Sequence, residues 1–409
     1  MTTNQELLDV GKATQLANYR PAPFVLTRGE GCRVFDVEGN AYLDLAAGIA
    51  VSALGHGHPV LTRAIAEQAG RLMHVSNLFY NDRAIELAKE LTDRTPFERV
   101  FFCNSGSEAN EAMLKLARRF HHDHGAPERR EYVAATGSFH GRTLGSLSVT
   151  GQAKYHAGME PLIPGVHFVP YNDLEAMRGA VTDRTAAVIV EPLQGEGGIV
   201  VGDDSYLQGL RELCDERGAL LLFDEVQTGI GRTGRFLARE WSGVTPDACS
   251  LAKGIGGGFP LGAMLVVGRV ADGLPPGTHA TTFGGNALAC AAGLAVLRTL
   301  DAEELVAQAE ARGRFLEGLL KDLVNKHDGA VGVRGRGLLW GVVLGEGVDP
   351  AATLAAIRSK GVLLSLAGGN VLRFSPPLIV SEEELSEGVR RVSEVLGNAA
   401  SPEAPAVSP

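Results

Sequence analysis

The sequence predicts an α/β fold, with a large domain built on a mostly parallel sheet and a smaller α+β domain beside it, and three observations predict it. Residues 219–223 are an unbroken apolar run, Ala-Leu-Leu-Leu-Phe, that ends in Asp224. A strand covered on both faces of a parallel sheet reads this way. From residue 99 to 300, apolar strand-like runs alternate with segments of helical period, and beyond residue 301 the texture changes to Glu/Arg/Leu helix, then short strands, then a closing helix. At 409 residues the chain exceeds one compact core, so two domains are expected. They divide as 1–75 (N-terminal segment of the small domain), 76–300 (large domain), 301–398 (C-terminal part of the small domain) and a small-residue, Pro-rich tail, 399–409, expected to be disordered.

Each element has its local reason. Residues 1–20 carry a weak helical pattern, and residues 24–27, 33–36 and 42–45 read as short strands separated by Gly29, Gly31 and Gly39-Asn40. Pro59 suits the first turn of a helix running to about Met73, and residues 81–94 read as another. Residues 99–103 form a strand, followed by a helix whose apolar face, Ala109, Ala112, Met113, Leu116 and Phe120, fits a 3.6-residue period. Ser105 with Glu108 makes a capping-box pattern at its start, and the free N–H groups of Gly106 and Ser107 there form an anion site. Further strands fall at 131–135, 166–169, 186–190, about 248–252 and 261–267, before an Ala-rich helix from Ala287 to about Leu300. Beyond it come strands at 331–334, 338–344, 362–366 and 371–374 and a helix from about Ser381 to Leu396.

A net charge of −10 and the lack of a basic run argue against nucleic acid or an anionic membrane as partner and for a small metabolite. The five cysteines, 32, 103, 214, 249 and 290, are scattered inside apolar runs without metal-ligand spacing, and read as reduced, buried thiols. The start has no cationic region leading into an apolar one, and no window approaches about 18 uninterrupted apolar residues, so a cytoplasmic protein is expected. His56 and His58 lack a third ligand at helical or strand spacing, and His121, His122 and His124, near a helix end, read as a solvated surface cluster, so no metal is expected.

The chemistry concentrates between residues 219 and 258. Asp224 ends one strand, and Lys253 ends the next, ahead of a Gly-rich turn. Open α/β sheets bind ligands at that edge. An acid and an amine facing one crevice fit pyridoxal phosphate, which needs a Lys for covalent attachment and a carboxylate to keep its ring nitrogen protonated. At an effective dielectric near 20 that carboxylate is worth about 4 kcal/mol to the protonated ring.

Six motifs run in order along the chain: Asn-Ser-Gly-Ser-Glu-Ala-Asn (104–110), Ser-Phe-His-Gly-Arg-Thr (138–143), Glu-Pro-Leu-Gln-Gly-Glu-Gly-Gly (191–198), Asp-Glu-Val-Gln-Thr-Gly (224–229), Ala-Lys-Gly (252–254) and Thr-Thr-Phe-Gly-Gly-Asn (281–286). Together they resemble the class III, ornithine-type, aminotransferases of fold type I, over nearly the whole chain. The resemblance implies that Gly106 and Ser107 cradle the cofactor phosphate, Phe139 and Val226 pack on opposite faces of its ring, and Gln227 hydrogen-bonds its phenolic oxygen. It also implies that Arg142 grips a substrate carboxylate, that Glu196 switches on and off Arg373, that Thr282 reaches the phosphate of a neighbouring subunit, and that Thr281 touches the acyl group of the substrate. The position of Thr281 is commonly Ser in the family. A homodimer with shared active sites follows. The implied reaction is a ping-pong transfer from a terminal amine to 2-oxoglutarate. N-acetylornithine is the first candidate donor, favoured by the His74–Tyr80 loop and placing the chain in arginine biosynthesis; ornithine, 4-aminobutyrate, succinylornithine and succinyldiaminopimelate are the alternatives.

Two rivals come from other classes. Residues 229–234 match GxGxxG, which would suit a dinucleotide oxidoreductase, but the run lies five residues past its strand and opens no helical period. A non-catalytic scaffold of the same fold is the other.

Overall fold

A computed structural model describes residues 3–399. Its centre is a seven-stranded sheet in the order Arg99–Cys103, Gly262–Val266, Ala248–Leu251, Leu220–Asp224, Thr185–Val190, Glu131–Ala135, Val166–Val169. Every pairing is parallel except the two made by Gly262–Val266, which runs against both neighbours. The mostly parallel sheet expected from the apolar runs is therefore present.

The Leu220–Asp224 strand explains why the run is unbroken. Leu220 and Leu222 pack beneath Ala112, Met113 and Leu116 of the helix Gly106–Asp123, whereas Leu221 and Phe223 pack beneath Leu207, Leu210 and Leu213 of the helix Asp204–Arg217. Alternate side chains leave opposite faces of a strand, so a strand between two helices has no polar side. Each such side chain contributes roughly 1.5–3 kcal/mol by leaving water. Asp224 follows the parity of Leu222 and so emerges on the side of the Gly106–Asp123 helix.

Two smaller antiparallel-rich sheets flank this one. Leu26–Glu30, Arg33–Asp36 and Ala41–Asp44 form a meander that Val362–Leu363 extends by parallel pairing with Ala41–Asp44. Ala330–Arg336, Leu339–Leu344, Val371–Phe374 and Ser365–Ala367 form the other. The single strand expected over 362–366 is thus two pieces that break at Leu364 and serve different sheets. Residues 26–44 thus share one sheet with Val362–Leu363, and apolar residues of both join a continuous core with the helix Ala287–Ala302.

The expected tail, 399–409, lies outside the described residues except for Ala399, which closes the helix Glu382–Ala399. All five cysteines are free and buried. His121 departs from the solvated cluster expected of it: it is buried, and its Nε2 donates to the Ala186 carbonyl at 2.9 Å. Among the described residues no helix is long and apolar enough to cross a membrane.

Candidate active site

A cavity of about 360 Å³ opens at the C-terminal edge of the large sheet, within the size range of small-molecule sites. Asp224 and Lys253 both line it, delivered by adjacent parallel strands. Lys253 follows the Ala248–Leu251 strand, opens a short 3₁₀ turn over Lys253–Gly256, and has a left-handed φ of 47°. A non-glycine residue in that region is strained, and such strain gathers at functional sites. Burial pushes the Lys253 amine below its ordinary value, Glu196 pulls it back up, and Arg373 pushes it down again.

The Asp224 carboxylate is buried, and its surroundings are built to keep it charged. Its Oδ2 accepts from Asn110 Nδ2 at 2.7 Å and from His140 Nδ1 at 2.8 Å; its Oδ1 accepts from the Val226 backbone N–H at 3.0 Å and from Ser250 Oγ at 3.3 Å. Burial raises the group, but the His140 contact and the other donors outweigh it and hold the carboxyl below the usual range. Beside it, burial lifts Glu191 to about 7, against the pull of His140. That carboxyl accepts from the backbone N–H groups of Phe139 and Gly195, so it braces the two loops that wall the cavity.

At the other end of the cavity the helix Gly106–Asp123 begins. Ser105 Oγ accepts from the Glu108 N–H at 3.2 Å, as the capping pattern predicts. The return bond differs: the Glu108 carboxylate takes the Asn104 N–H, one residue earlier than a capping box requires. The N–H groups of Gly106 and Ser107 have no acceptor among the described residues, which leaves donors at a helix N-terminus aimed at an anion. Gly106 is needed there, because a Cβ would stand 2.7 Å from both methyls of Val226.

Phe139, Val226, Gln227 and Glu196 also line the cavity, as expected. Among the described residues Gln227 Nε2 is buried without a partner, while its Oε1 lies 3.4 Å from Arg373. Arg373 is almost wholly buried, takes Ser365 Oγ as an acceptor for its Nε at 3.0 Å, and is ion-paired with Glu196. Four predicted residues, Arg373 among them, are not on the cavity wall. Arg142 is exposed at its rim, 5.5 Å from the Phe139 ring centroid. Thr281 Oγ1 turns to Asn104 Nδ2 and the Gly284 N–H, and Thr282 faces solvent.

Sequence reasoning gave no role to Asn110, His140, Glu191 or Ser250, and it missed Val51. The first three lie inside quoted motifs, but the contacts of Asn110 and His140 with Asp224 span 114 and 84 residues, which spacing cannot reveal. Val51 reaches the cavity by a left-handed turn in which Ala47, Gly48, Ile49 and Ala50 all have φ between 47° and 66°.

The residues fit pyridoxal phosphate on the structure's own terms. The orphaned Gln227 amide, the unpaired N–H groups at a helix start, the buried and charged Asp224 and the adjacent amine of Lys253 match its phenolic oxygen, phosphate, ring nitrogen and carbonyl. Fold and site together define a pyridoxal-phosphate-dependent transferase of fold type I. Within that class the chain belongs to the aminotransferase class III family, whose model matches residues 14–396. It is 49% identical to the acetylornithine aminotransferase of Pseudomonas putida over 91% of this chain and 93% of that one. It is 47% identical to a Pseudomonas aeruginosa protein named succinylornithine transaminase/acetylornithine aminotransferase, over 91% of this chain and 93% of the other. Among solved structures, ornithine aminotransferase of Toxoplasma gondii superposes with a TM-score of 0.94 at 33% identity, covering 98% of this chain and 96% of that one. The chain is therefore a pyridoxal-phosphate-dependent transaminase that takes an amino donor and a keto acid. The dinucleotide reading of residues 229–234 gives way: they form a turn-rich loop whose Arg232 is buried and donates to the carbonyls of Leu338 and Pro376.

Proposed function

We propose that this transaminase moves the δ-amino group of N-acetylornithine to 2-oxoglutarate, giving N-acetylglutamate 5-semialdehyde and glutamate, and works as a cytoplasmic homodimer. One observation carries the reading: a buried Arg373 guanidinium beside the cavity, neutralised by Glu196. One site has to take a terminal amine in one half-reaction and an α-keto acid in the other. A cation that can be masked and unmasked meets both demands, and the names of the relatives favour the N-acylated donor.

Pyridoxal phosphate, when bound, supplies a carbonyl for the donor amine and a protonated ring that takes up electrons from the substrate carbon. Lys253 would hold it covalently, and its Nζ, set free when the donor amine takes its place, would carry the proton to and from the donor's δ-carbon. Asp224 keeps the ring nitrogen protonated. Gly106 and Ser107 hold the phosphate with Thr282 of the second copy, Phe139 and Val226 supply apolar contact to the ring, and Gln227 donates to its phenolic oxygen. While Glu196 masks Arg373, Arg142 anchors the donor's α-carboxylate and Thr281 meets its acyl group. With 2-oxoglutarate, Glu196 swings away, Arg373 takes the α-carboxylate and Arg142 the γ-carboxylate. We assign residues 76–300 to the large domain, and 1–75 with 301–398 to the small one.

Single-turnover mixing of holoenzyme with each donor, without 2-oxoglutarate, tests this through loss of the cofactor's visible band. Fast conversion with N-acetylornithine and slow conversion with ornithine and 4-aminobutyrate is the expected result; the reverse order sinks the substrate assignment and leaves the family intact. Succinylornithine is the second reading, because the P. aeruginosa relative carries both names. Its rate in the same experiment ranks the two acyl groups.

A further inference from the structure

Arg142 stands at the rim of the cavity without a carboxylate: among the described residues nothing accepts from its guanidinium, and only its backbone N–H is used, donating to Ser107 Oγ at 3.1 Å. What holds the side chain is an aromatic face. Its Cζ lies 3.9 Å from the ring centroid of Tyr155, closer than the 5.5 Å to Phe139. The geometry points to Tyr155 as the residue that aims Arg142 at a substrate carboxylate. It rests on the carboxylate-gripping role proposed above for Arg142.

The physical case is one of orientation. A free arginine side chain carries about 2 kcal/mol of rotamer entropy that substrate binding has to overcome. An ion pair with an acidic neighbour would fix the guanidinium, but it would also occupy its donors and cancel its charge. Stacking on a ring fixes the plane and leaves all five N–H donors pointing outward in that plane, where a carboxylate is gripped bidentately.

Tyr155 is itself well held. It ends a 3₁₀ turn over Ala153–Tyr155, its N–H donates to the Gln152 carbonyl at 3.0 Å, and its ring meets Phe139 edge-on at 6.0 Å. Gln152 Nε2 ties that turn to the carbonyls of Gly137 and Ser138, in the loop that carries Arg142. Lys154 Nζ is 4.8 Å from the same centroid, so the ring draws a second cation, less closely. Among the described residues the contacts of the Tyr155 side chain are made by its ring, and the ring face is the working part.

The experiment compares Tyr155→Leu, Tyr155→Phe and Arg142→Leu as holoenzymes, with KM and kcat measured for N-acetylornithine and for 2-oxoglutarate. Tyr155→Leu is expected to raise both KM values about two- to fivefold, the range of an exposed cation–π contact, with kcat unchanged, and Tyr155→Phe is expected to restore the native values. If Arg142→Leu weakens both substrates and Tyr155→Leu weakens neither, the inference about Tyr155 fails alone. If Arg142→Leu has no effect, the role of Arg142 fails and takes Tyr155 with it. A Tyr155→Phe variant as impaired as Tyr155→Leu, or a kcat that falls in step with the rise in KM, also overturns it, since either means the residue acts through its hydroxyl or by holding up the local fold.

Discussion

Lys253 shows how the site sets the state of a single amine. Burial pushes its value down, Glu196 is the largest charge lifting it, and Arg373 opposes Glu196. A lowered lysine exposes its neutral, nucleophilic form at lower pH than free lysine does. We therefore expect the rate at which cofactor-free protein captures added pyridoxal phosphate to rise with pH through a midpoint below 10.5, the ordinary lysine value. Glu196→Gln moves that midpoint further down and Arg373→Leu moves it up. Stopped-flow absorbance across pH 6 to about 11 reads all three, and a common midpoint at the free-lysine value would show that the three charges do not act on the amine. At this scale the sequence was informative where chemistry is carried by residue type, as with Lys253 and Asp224. It was silent on His140 and Asn110, whose polar groups matter only because folding lays them against Asp224.

Among the elements, the strands were the most legible and the connections the least. The expected strands over 99–103, 131–135 and 166–169 are present at those bounds; Glu131–Ala135 is buried on both faces and carries that burial in its local sequence, whereas Arg99–Cys103 and Val166–Val169 are the partly exposed edge strands of the sheet. The helix Asp204–Arg217 was not read, although Tyr206, Leu207, Leu210, Leu213 and Cys214 bury one face of it and Gly218 closes it in the left-handed region. The hairpin of Leu193–Gln194 with Val200–Val201, which carries Glu196 in its loop, is too short to leave a period. Glu225 serves such a connection: its carboxylate accepts the N–H groups of Ala238 and Arg239 and the Thr228 hydroxyl. Burial lifts it to about 7 from an ordinary 4.5. Between those values the folded carboxyl retains a proton that the unfolded one has released. Its contribution to stability is thus greatest below about pH 4.5, declines as pH rises through the window, and levels off above 7, a change on the order of 3 kcal/mol. Glu225→Gln cannot titrate, so the drop in melting temperature between pH 5 and 8 is expected to be smaller in that variant than in the native protein. An equal drop in both would assign the pH dependence to other groups.

The whole molecule depends on two surfaces that no single element defines. One is where the C-terminal sheet seats on the loop after Gln227. Gly337, at the turn between Ala330–Arg336 and Leu339–Leu344, has a φ of 56°, and a Cβ on it would stand 2.3 Å from the Thr233 carbonyl carbon. Gly337→Ala is expected to cost about 2–4 kcal/mol, combining backbone strain with a clash against main chain that cannot rotate away, and to lower the urea midpoint without changing the m-value. Because Leu339–Leu344 pairs with the strand bearing Arg373, the same variant is expected to raise KM for 2-oxoglutarate more than for the donor. The other surface is apolar and exposed. Leu78 and Tyr80 are 86% and 92% exposed, with Phe79 and Phe283 beside them, yet their backbone is firmly tied. Asn77 Nδ2 donates to the carbonyls of Thr281 and Gly284, Asn81 Nδ2 to that of Gly285, and His74 packs on Phe283 at 5.2 Å. Ordered backbone presenting bare aromatics is the form of a surface awaiting a partner, and Thr282 sits on the same loop. Sedimentation at micromolar concentration is expected to give twice the chain mass of 43.1 kDa. A Phe79→Glu/Tyr80→Glu double variant should sediment as one chain and bind pyridoxal phosphate at least tenfold more weakly, since separating the copies withdraws Thr282 from the neighbouring phosphate. A native protein that sediments as a single chain with full cofactor affinity would leave each site complete within its own chain and remove the role proposed for Thr282.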